Sequence, residues 1–200
     1  LFFVSGVSYY RQGEIITKVV ARYAMPYEEA MVMHGEMIEA AQEVVCRFKQ
    51  DDSLTDLELA LLVHDYLAAN CEYYFAESAT EVDTWDGRYT AYFVFIKGTA
   101  VCQGYAEAYD YLMKQLGIDC GLCRSETLNH AWNIIELDGL EYHVDVTWDD
   151  PTYDRSGRVG HTNFLRSTEG LVSTGHNAED FTGNPTNTKY DSAFWQTSKA

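Results

Sequence analysis

The apolar positions of the chain change period part-way along it. Ala30, Met33, Met37, Ala41, Val44 and Phe48 recur three or four residues apart, a stripe that predicts an amphipathic helix over about 27–49. Pro26 stands where a first-turn proline is tolerated, Glu28 and Glu29 follow near the positive helix end, and Asp51-Asp52-Ser53 breaks the pattern. A second helix is expected from Thr55 to about Asn70. The Thr55 hydroxyl can cap it while Glu58 reaches back, and Leu57, Ala60, Leu61, Val63 and Leu67 form its buried side. Residues 77–89 read as a polar loop and 90–97 as an apolar stretch. A third helix is expected from Cys102 to Leu116, with Tyr105, Tyr109, Leu112 and Leu116 on one face and Gly117 just past its end.

Beyond Gly117 the period falls to two, and residues 119–126, 130–137 and 140–147 predict strands. Asp138-Gly139 suits the positive backbone angles of a two-residue hairpin turn. Pairing extended outward from that turn sets His130 opposite Thr147 and one diagonal step from Asp145. A slip of one residue would send Asp145 to the other face. Asn163-Phe164-Leu165 suggests another short strand, and Leu1-Phe2-Phe3-Val4 either a first strand or the end of a removed segment. Ser, Thr, Asn and Gly dominate after residue 167 and predict surface wrapping. Helices followed by an antiparallel sheet define an α+β class. A length of 200 residues suits a single domain, with its core at about 27–165 and a polar C-terminal wrapping segment at 166–200.

Composition narrows the function. Fourteen Lys and Arg against thirty-one Asp and Glu leave a net charge of −17, which argues against binding nucleic acid through its phosphates and would repel an anionic membrane. No apolar run is long enough for a transmembrane segment. Five cysteines are too few for a disulfide scaffold, and the odd number leaves at least one sulfur without an intramolecular partner. The start at Leu1 reads as the interior of a longer precursor. With the acidity and the unpaired thiol, this points to an extracellular or cell-envelope location.

Cys102 opens the third helix, where free N–H groups and the helix dipole stabilise a thiolate and lie where an oxyanion would form after attack on a carbonyl. Gly104 and Ala106 leave space around it. The competing reading is that of a small buried hydrophobe, the commonest state of a free cysteine. His130, with Asp145 on the neighbouring strand, could supply a base and the carboxylate that orients it. His143 shares a strand face with Asp145 and is the rival base. Cys120-Gly-Leu-Cys123 matches half of a zinc site or a redox motif, but no second pair completes four ligands. Structural cysteines, a disulfide with a distant cysteine, and a metal or redox role all remain open for it. Asp149-Asp150, with Asp145 and Asp154 nearby, could attract a cation or form a turn before Pro151. Trp132 and Trp148 could wall a cleft or belong to the core.

The order of these pieces carries a resemblance. Val101-Cys102-Gln103-Gly104-Tyr105-Ala106, Leu116-Gly117-Ile118, His130-Ala131-Trp132-Asn133 and Tyr142-His143-Val144-Asp145-Val146-Thr147-Trp148-Asp149-Asp150-Pro151 follow one another over about residues 90–165. Together they resemble the transglutaminase-like superfamily, most strongly its bacterial branch, with a papain-like core. The resemblance implies a Cys102 nucleophile, a His130 general base and acid, and an Asp145 orienting group. No cofactor and no metal ligand is expected, and the partner expected is a protein or peptide substrate, with cell-wall material a further candidate partner. The reaction would be acyl transfer at an amide carbonyl, hydrolytic rather than cross-linking. The alternative is a catalytically silent binding or scaffold domain of a cell-surface protein. The chain departs from the pattern at the oxyanion donor. Its upstream glutamines, Gln12, Gln42 and Gln50, lie far back, and Trp85 is the sole upstream tryptophan. Tyr92 and Gln103 are the remaining side-chain candidates, beside the Cys102 N–H.

Overall fold

The computed structural model describes residues 4–75, 87–151 and 159–193, so Trp85, Asp154 and most of the expected 77–89 loop lie outside the described residues. The architecture is α+β. Val4–Gln12 (β1) and Ile15–Tyr23 (β2) form an antiparallel hairpin turned at Gly13, whose φ is 64°. Periodicity missed this hairpin because its apolar residues mark no buried face: Tyr9, Tyr10, Ile15 and Val19 are all exposed.

The helices follow the predicted pattern. Tyr27–Phe48 (α1) buries Ala30, Met37, Ala41 and Val44. Asp56–Asn70 (α2) starts at a capping box in which the Thr55 N–H donates to Glu58 Oε2 at 2.8 Å and Glu58 N–H donates to the Thr55 hydroxyl. Two short strands, Glu72–Tyr73 (β3) and Thr99–Ala100 (β4), then pair in parallel. Between them, the apolar stretch contains a π-helical turn, Phe93–Lys97, stopped by Gly98 at φ 64°. Cys102–Leu116 (α3) is the central helix. It buries Tyr105, Tyr109, Leu112 and Met113 and ends at Gly117, φ 89°, a left-handed conformation that suits glycine.

Cys120–Ser125 (β5), His130–Leu137 (β6) and Leu140–Val144 (β7) run antiparallel. The predicted register is present, with Leu137 opposite Leu140 and Asn133 opposite Val144. Pairing stops there. Asp145 leaves the sheet and caps Val146–Asp149 (α4), its carboxylate accepting the Trp148 N–H at 3.2 Å, so the strand expected to reach residue 147 ends three residues sooner. Phe164–Arg166 (β8) completes the four-stranded sheet in the order β5-β6-β7-β8. α3 packs on β5 and β6, and Asn133 Nδ2 donates to Ala106 O at 2.9 Å across that interface.

The C-terminal region goes beyond surface wrapping. Thr168–Ser173 (α5) buries Leu171, and His176 is wholly buried. A polar segment enters the interior here because its polar groups find partners: the Ser167 N–H donates to Asp191 Oδ1 at 2.8 Å and Arg166 Nη1 to Asp191 O at 2.7 Å. Among the described residues no helix is long and apolar enough to cross a membrane.

Candidate active site

Cys102 is the first residue of α3, and the N-cap Val101 offers no side-chain cap to the first-turn N–H groups. The approach is fixed by the Val101 N–H, which donates to Arg88 O at 3.0 Å. Gly104 is required by that approach. A Cβ there would stand 2.7 Å from Arg88 O, 3.2 Å from Thr90 O and 2.9 Å from the Ala100 Cβ. Two of these atoms are backbone and cannot swing away. Gly104→Ala should therefore cost about 1–3 kcal/mol in denaturant unfolding, the usual range for overpacking, and slow the alkylation of Cys102. An unchanged midpoint would show that residues 88–90 yield freely.

The structure brings Cys102, His130 and Asp145 together. His130 Nε2 lies 2.7 Å from Asp145 Oδ2, with both side chains buried, which leaves Nδ1 as the ring nitrogen available to the Cys102 thiol in the cleft that both residues line. The imidazole stacks on Trp132, ring centroids 5.4 Å apart, and meets Trp148 at 5.5 Å. Trp132 is core, while Trp148 is 42% exposed and lines the cleft.

Charge follows from these contacts. Burial resists ionisation of Cys102, but the His130 hydrogen bond and charge, with backbone N–H groups of Ala131 and Gln103, outweigh it and lower the thiol pKa below the ordinary 9.0. Burial likewise disfavours a charged His130, yet the charge and hydrogen bond of Asp145, then those of Cys102, raise it from 6.5 to about 10. Burial opposes the charge of Asp145 as well, but His130 and His176 hold it far below the usual carboxylate range. Each of the three shifts favours the charged form of its group.

His143 occupies a different environment. Its Nδ1 accepts the Trp132 Nε1–H at 3.0 Å, and its Nε2 faces the Thr168 hydroxyl at 3.0 Å. A nitrogen that accepts carries no proton, so the ring is neutral, and burial followed by repulsion from His176 pushes its pKa down to about 4. It is a structural histidine on these contacts.

His176 escaped the sequence reading. Its Nε2 lies 2.8 Å from Asp145 Oδ2, the same oxygen that meets His130, and its ring stacks on Trp148 at 3.8 Å. Its buried Nδ1 finds no hydrogen-bond partner among the described residues. No local signal could have revealed it, because it sits alone in a polar segment thirty-one residues beyond Asp145.

Two clefts flank His130. One, about 330 Å³, runs along Cys102, Gln103, Tyr89, Glu126 and Tyr73; the other, about 400 Å³, lies among Tyr73, Phe75, Thr147, Trp148 and Asp150. Both share His130 and Tyr73, a shape suited to a segment lying across the thiol. The side-chain oxyanion candidates point elsewhere: the Tyr92 hydroxyl donates to Glu36 Oε2 at 2.9 Å, and Gln103 Nε2 to Glu107 Oε1 at 3.0 Å. Backbone N–H groups remain at the sulfur.

The other cysteines are apart from this chemistry. All five are free thiols. Cys120 and Cys123 are three apart on β5 and so face opposite sides of the sheet, one beside the main core and the other with Trp132 and Leu171. The Asp149-Asp150 pair serves as hydrogen-bond acceptors. Asp149 takes the Asn163 N–H and Nδ2–H at 3.0 Å, and Asp150 takes the Tyr105 hydroxyl at 2.6 Å.

No protein-family model and no curated protein sequence matches the chain. Solved structures similar to it include a TGase, at 17% identity and a TM-score of 0.45, covering 69% of this chain and 38% of that one. Another is a candidate cysteine protease from Cytophaga hutchinsonii, at 17% identity and a TM-score of 0.39, covering 56% of this chain and 42% of that one. The chain thus spans less than half the length of either.

Proposed function

We propose that the protein is a thiol-dependent acyl-transfer enzyme acting on an amide or peptide carbonyl, with hydrolysis as its outcome. The observation that supports this most directly is the buried His130–Asp145 pair meeting a cysteine at an uncapped helix N-terminus. The Cys102 sulfur attacks the carbonyl carbon, and the carbonyl π electrons move to oxygen, where first-turn N–H groups receive the charge. As the C–N bond breaks, the His130 Nδ1 proton passes to the departing amine. The neutral imidazole then takes a proton from water, hydroxide adds to the thioester, and collapse returns the thiolate and a carboxylic acid. Asp145 holds the imidazole so that Nδ1 faces sulfur throughout. The paired clefts favour an extended protein or peptide substrate, including cell-wall peptide.

A second reading is a binding domain with the same cleft and no turnover. It draws on the side chains of Tyr92 and Gln103 being committed to Glu36 and Glu107, which leaves backbone donors alone for an oxyanion. Thiol reactivity separates the two. Iodoacetamide alkylation followed by peptide mass spectrometry, between about pH 5 and 9, should modify Cys102 fastest at the acid end. Burial pushes Cys71 up to about 12 and raises Cys120 and Cys123 as well, so those sites should stay slow; Cys46 is the exposed reference. Because His130 lowers the Cys102 pKa, His130→Ala should move its profile to higher pH. A Cys102 profile that matches Cys46 and ignores His130→Ala favours the binding domain.

A further inference from the structure

A second cluster of titratable side chains lies away from the Cys102 cleft, where α2 meets the segment before β8. His64 and Asp65 are neighbours on α2, and His161 reaches them from the segment before β8. Asp65 Oδ1 is 3.0 Å from His64 Nδ1 and 2.7 Å from His161 Nε2. One ligand-type atom from each residue lies within 4.8 Å of the others. The acyl-transfer chemistry uses none of them.

We infer that His64, Asp65 and His161 form a binding site for a divalent transition-metal ion of the zinc type. Two imidazole nitrogens and one carboxylate oxygen match the donors zinc prefers, and three protein ligands leave a fourth position for water. A tetrahedral ion with bonds of about 2.0–2.1 Å spaces its ligand atoms about 3.3 Å apart. The two Asp65 contacts, at 3.0 and 2.7 Å, are somewhat shorter than that spacing, so an ion would part Asp65 from each histidine by well under 1 Å.

The surroundings supply a second, independent feature. A metal-bound histidine characteristically gives its other ring nitrogen to a carboxylate, which fixes the ring and strengthens the ligand. His64 does this: its Nε2 lies 3.2 Å from Asp149 Oδ2, and Asp149 is itself held by the Asn163 N–H and amide. Both His64 and Asp149 are buried. Phe164 packs edge-on against the His64 ring at 5.1 Å and closes the inner side. The outer side is open, since the Asp65 and His161 side chains are 40% and 23% exposed. Charge balances too, because two carboxylates, two neutral imidazoles and a doubly charged ion sum to zero.

His130, Asp145 and His176 also converge, but there the carboxylate and His176 are wholly buried, whereas Asp65 is 40% exposed. His64 and His161 are nearly a hundred residues apart, a separation no zinc motif spans, although His64 falls on the buried stripe with Ala60, Val63 and Leu67. The ion would tie α2 to the segment before β8 as a structural clamp, with α4 joined to it through the His64–Asp149 contact.

The test uses untagged, chelator-treated full chain and cobalt(II) as the probe. One equivalent should bind with the intense visible absorption of a four-coordinate ion, and zinc should displace it and raise the melting temperature. Asp65→Asn and His161→Ala alter partly exposed side chains and should fold; each should weaken binding at least about tenfold, the minimum seen for disturbing a metal's outer shell. His130→Ala should bind as the wild type does. The assignment is overturned if no stoichiometric binding occurs, if the spectrum is the weak one of a six-coordinate ion, if His161→Ala leaves affinity unchanged, or if His130→Ala abolishes it. Because alkylation of Cys102 is read separately, failure here leaves the acyl-transfer reading standing, and the converse holds.

Discussion

Cys102→Ala should lower amide turnover by about 10⁴–10⁶-fold, the loss that follows removal of a nucleophile whose partners act as a unit. The side chain is only partly buried, and alanine suits a helix, so the unfolding midpoint should move little. Cys102→Ser should be nearly as inactive. An alcohol is far less acidic than a thiol, so the contacts that lower the Cys102 pKa cannot produce an alkoxide near neutral pH. A second readout comes from His130. Asp145 is the larger cause of its raised pKa and Cys102 the next, so removing the thiol should lower the imidazole pKa from about 10 while leaving it above 6.5. NMR titration of the ring measures this directly. Turnover by the alanine variant equal to the wild type would place the chemistry elsewhere. A lost turnover with an unchanged His130 titration would mean that thiol and imidazole do not form a pair.

Much of this arrangement is legible in the sequence, for reasons that differ by element. α1 and α3 each bury one face, so their apolar spacing reports them, and Gly117 marks an end that only a left-handed residue makes cheaply. Asp138-Gly139 sets the β6–β7 register because a two-residue turn leaves the strands no freedom to slide. The meeting of His130 with Asp145 was expected from a diagonal pairing, yet it arises otherwise: Asp145 quits the strand to cap α4 and turns its second oxygen to the imidazole. Capping by aspartate competes with strand pairing, and periodicity cannot judge that contest. The β1–β2 hairpin is invisible because its apolar residues Tyr9, Tyr10, Ile15 and Val19 are exposed and mark no buried face. His176, His64 and His161 are invisible for another reason, since their meanings lie in contacts between residues far apart in the chain.

Asp145→Asn should lower turnover by about 10⁴-fold and alter how stability depends on pH. In the wild type, Asp145 Oδ1 accepts the Trp148 N–H while Oδ2 meets both His130 Nε2 and His176 Nε2. An asparagine that keeps the Trp148 bond turns its NH₂ toward the two rings. Each must then present a bare nitrogen, which puts the remaining His130 proton on Nδ1, facing sulfur. That tautomer cannot take a proton from the thiol, and the loss is of the size seen when a triad aspartate is replaced by asparagine. His176 offers no relief, because its Nδ1 is buried without a partner among the described residues. Stability should fall by about 3–5 kcal/mol at neutral pH, the cost of removing one member of a buried ion pair. The direction with pH follows from the two shifts. The raised His130 pKa contributes stability that is full below 6.5 and lost as pH climbs through about 10. The lowered Asp145 pKa contributes stability present above the ordinary carboxylate range and lost on strong acidification. Urea unfolding should therefore show the wild type weakening between pH 6.5 and about 10, while Asp145→Asn, already lacking the pair, shows a flatter profile over the same interval. Parallel profiles would mean that His130 and Asp145 exchange no charge in the folded protein, and the triad would lose its orienting member.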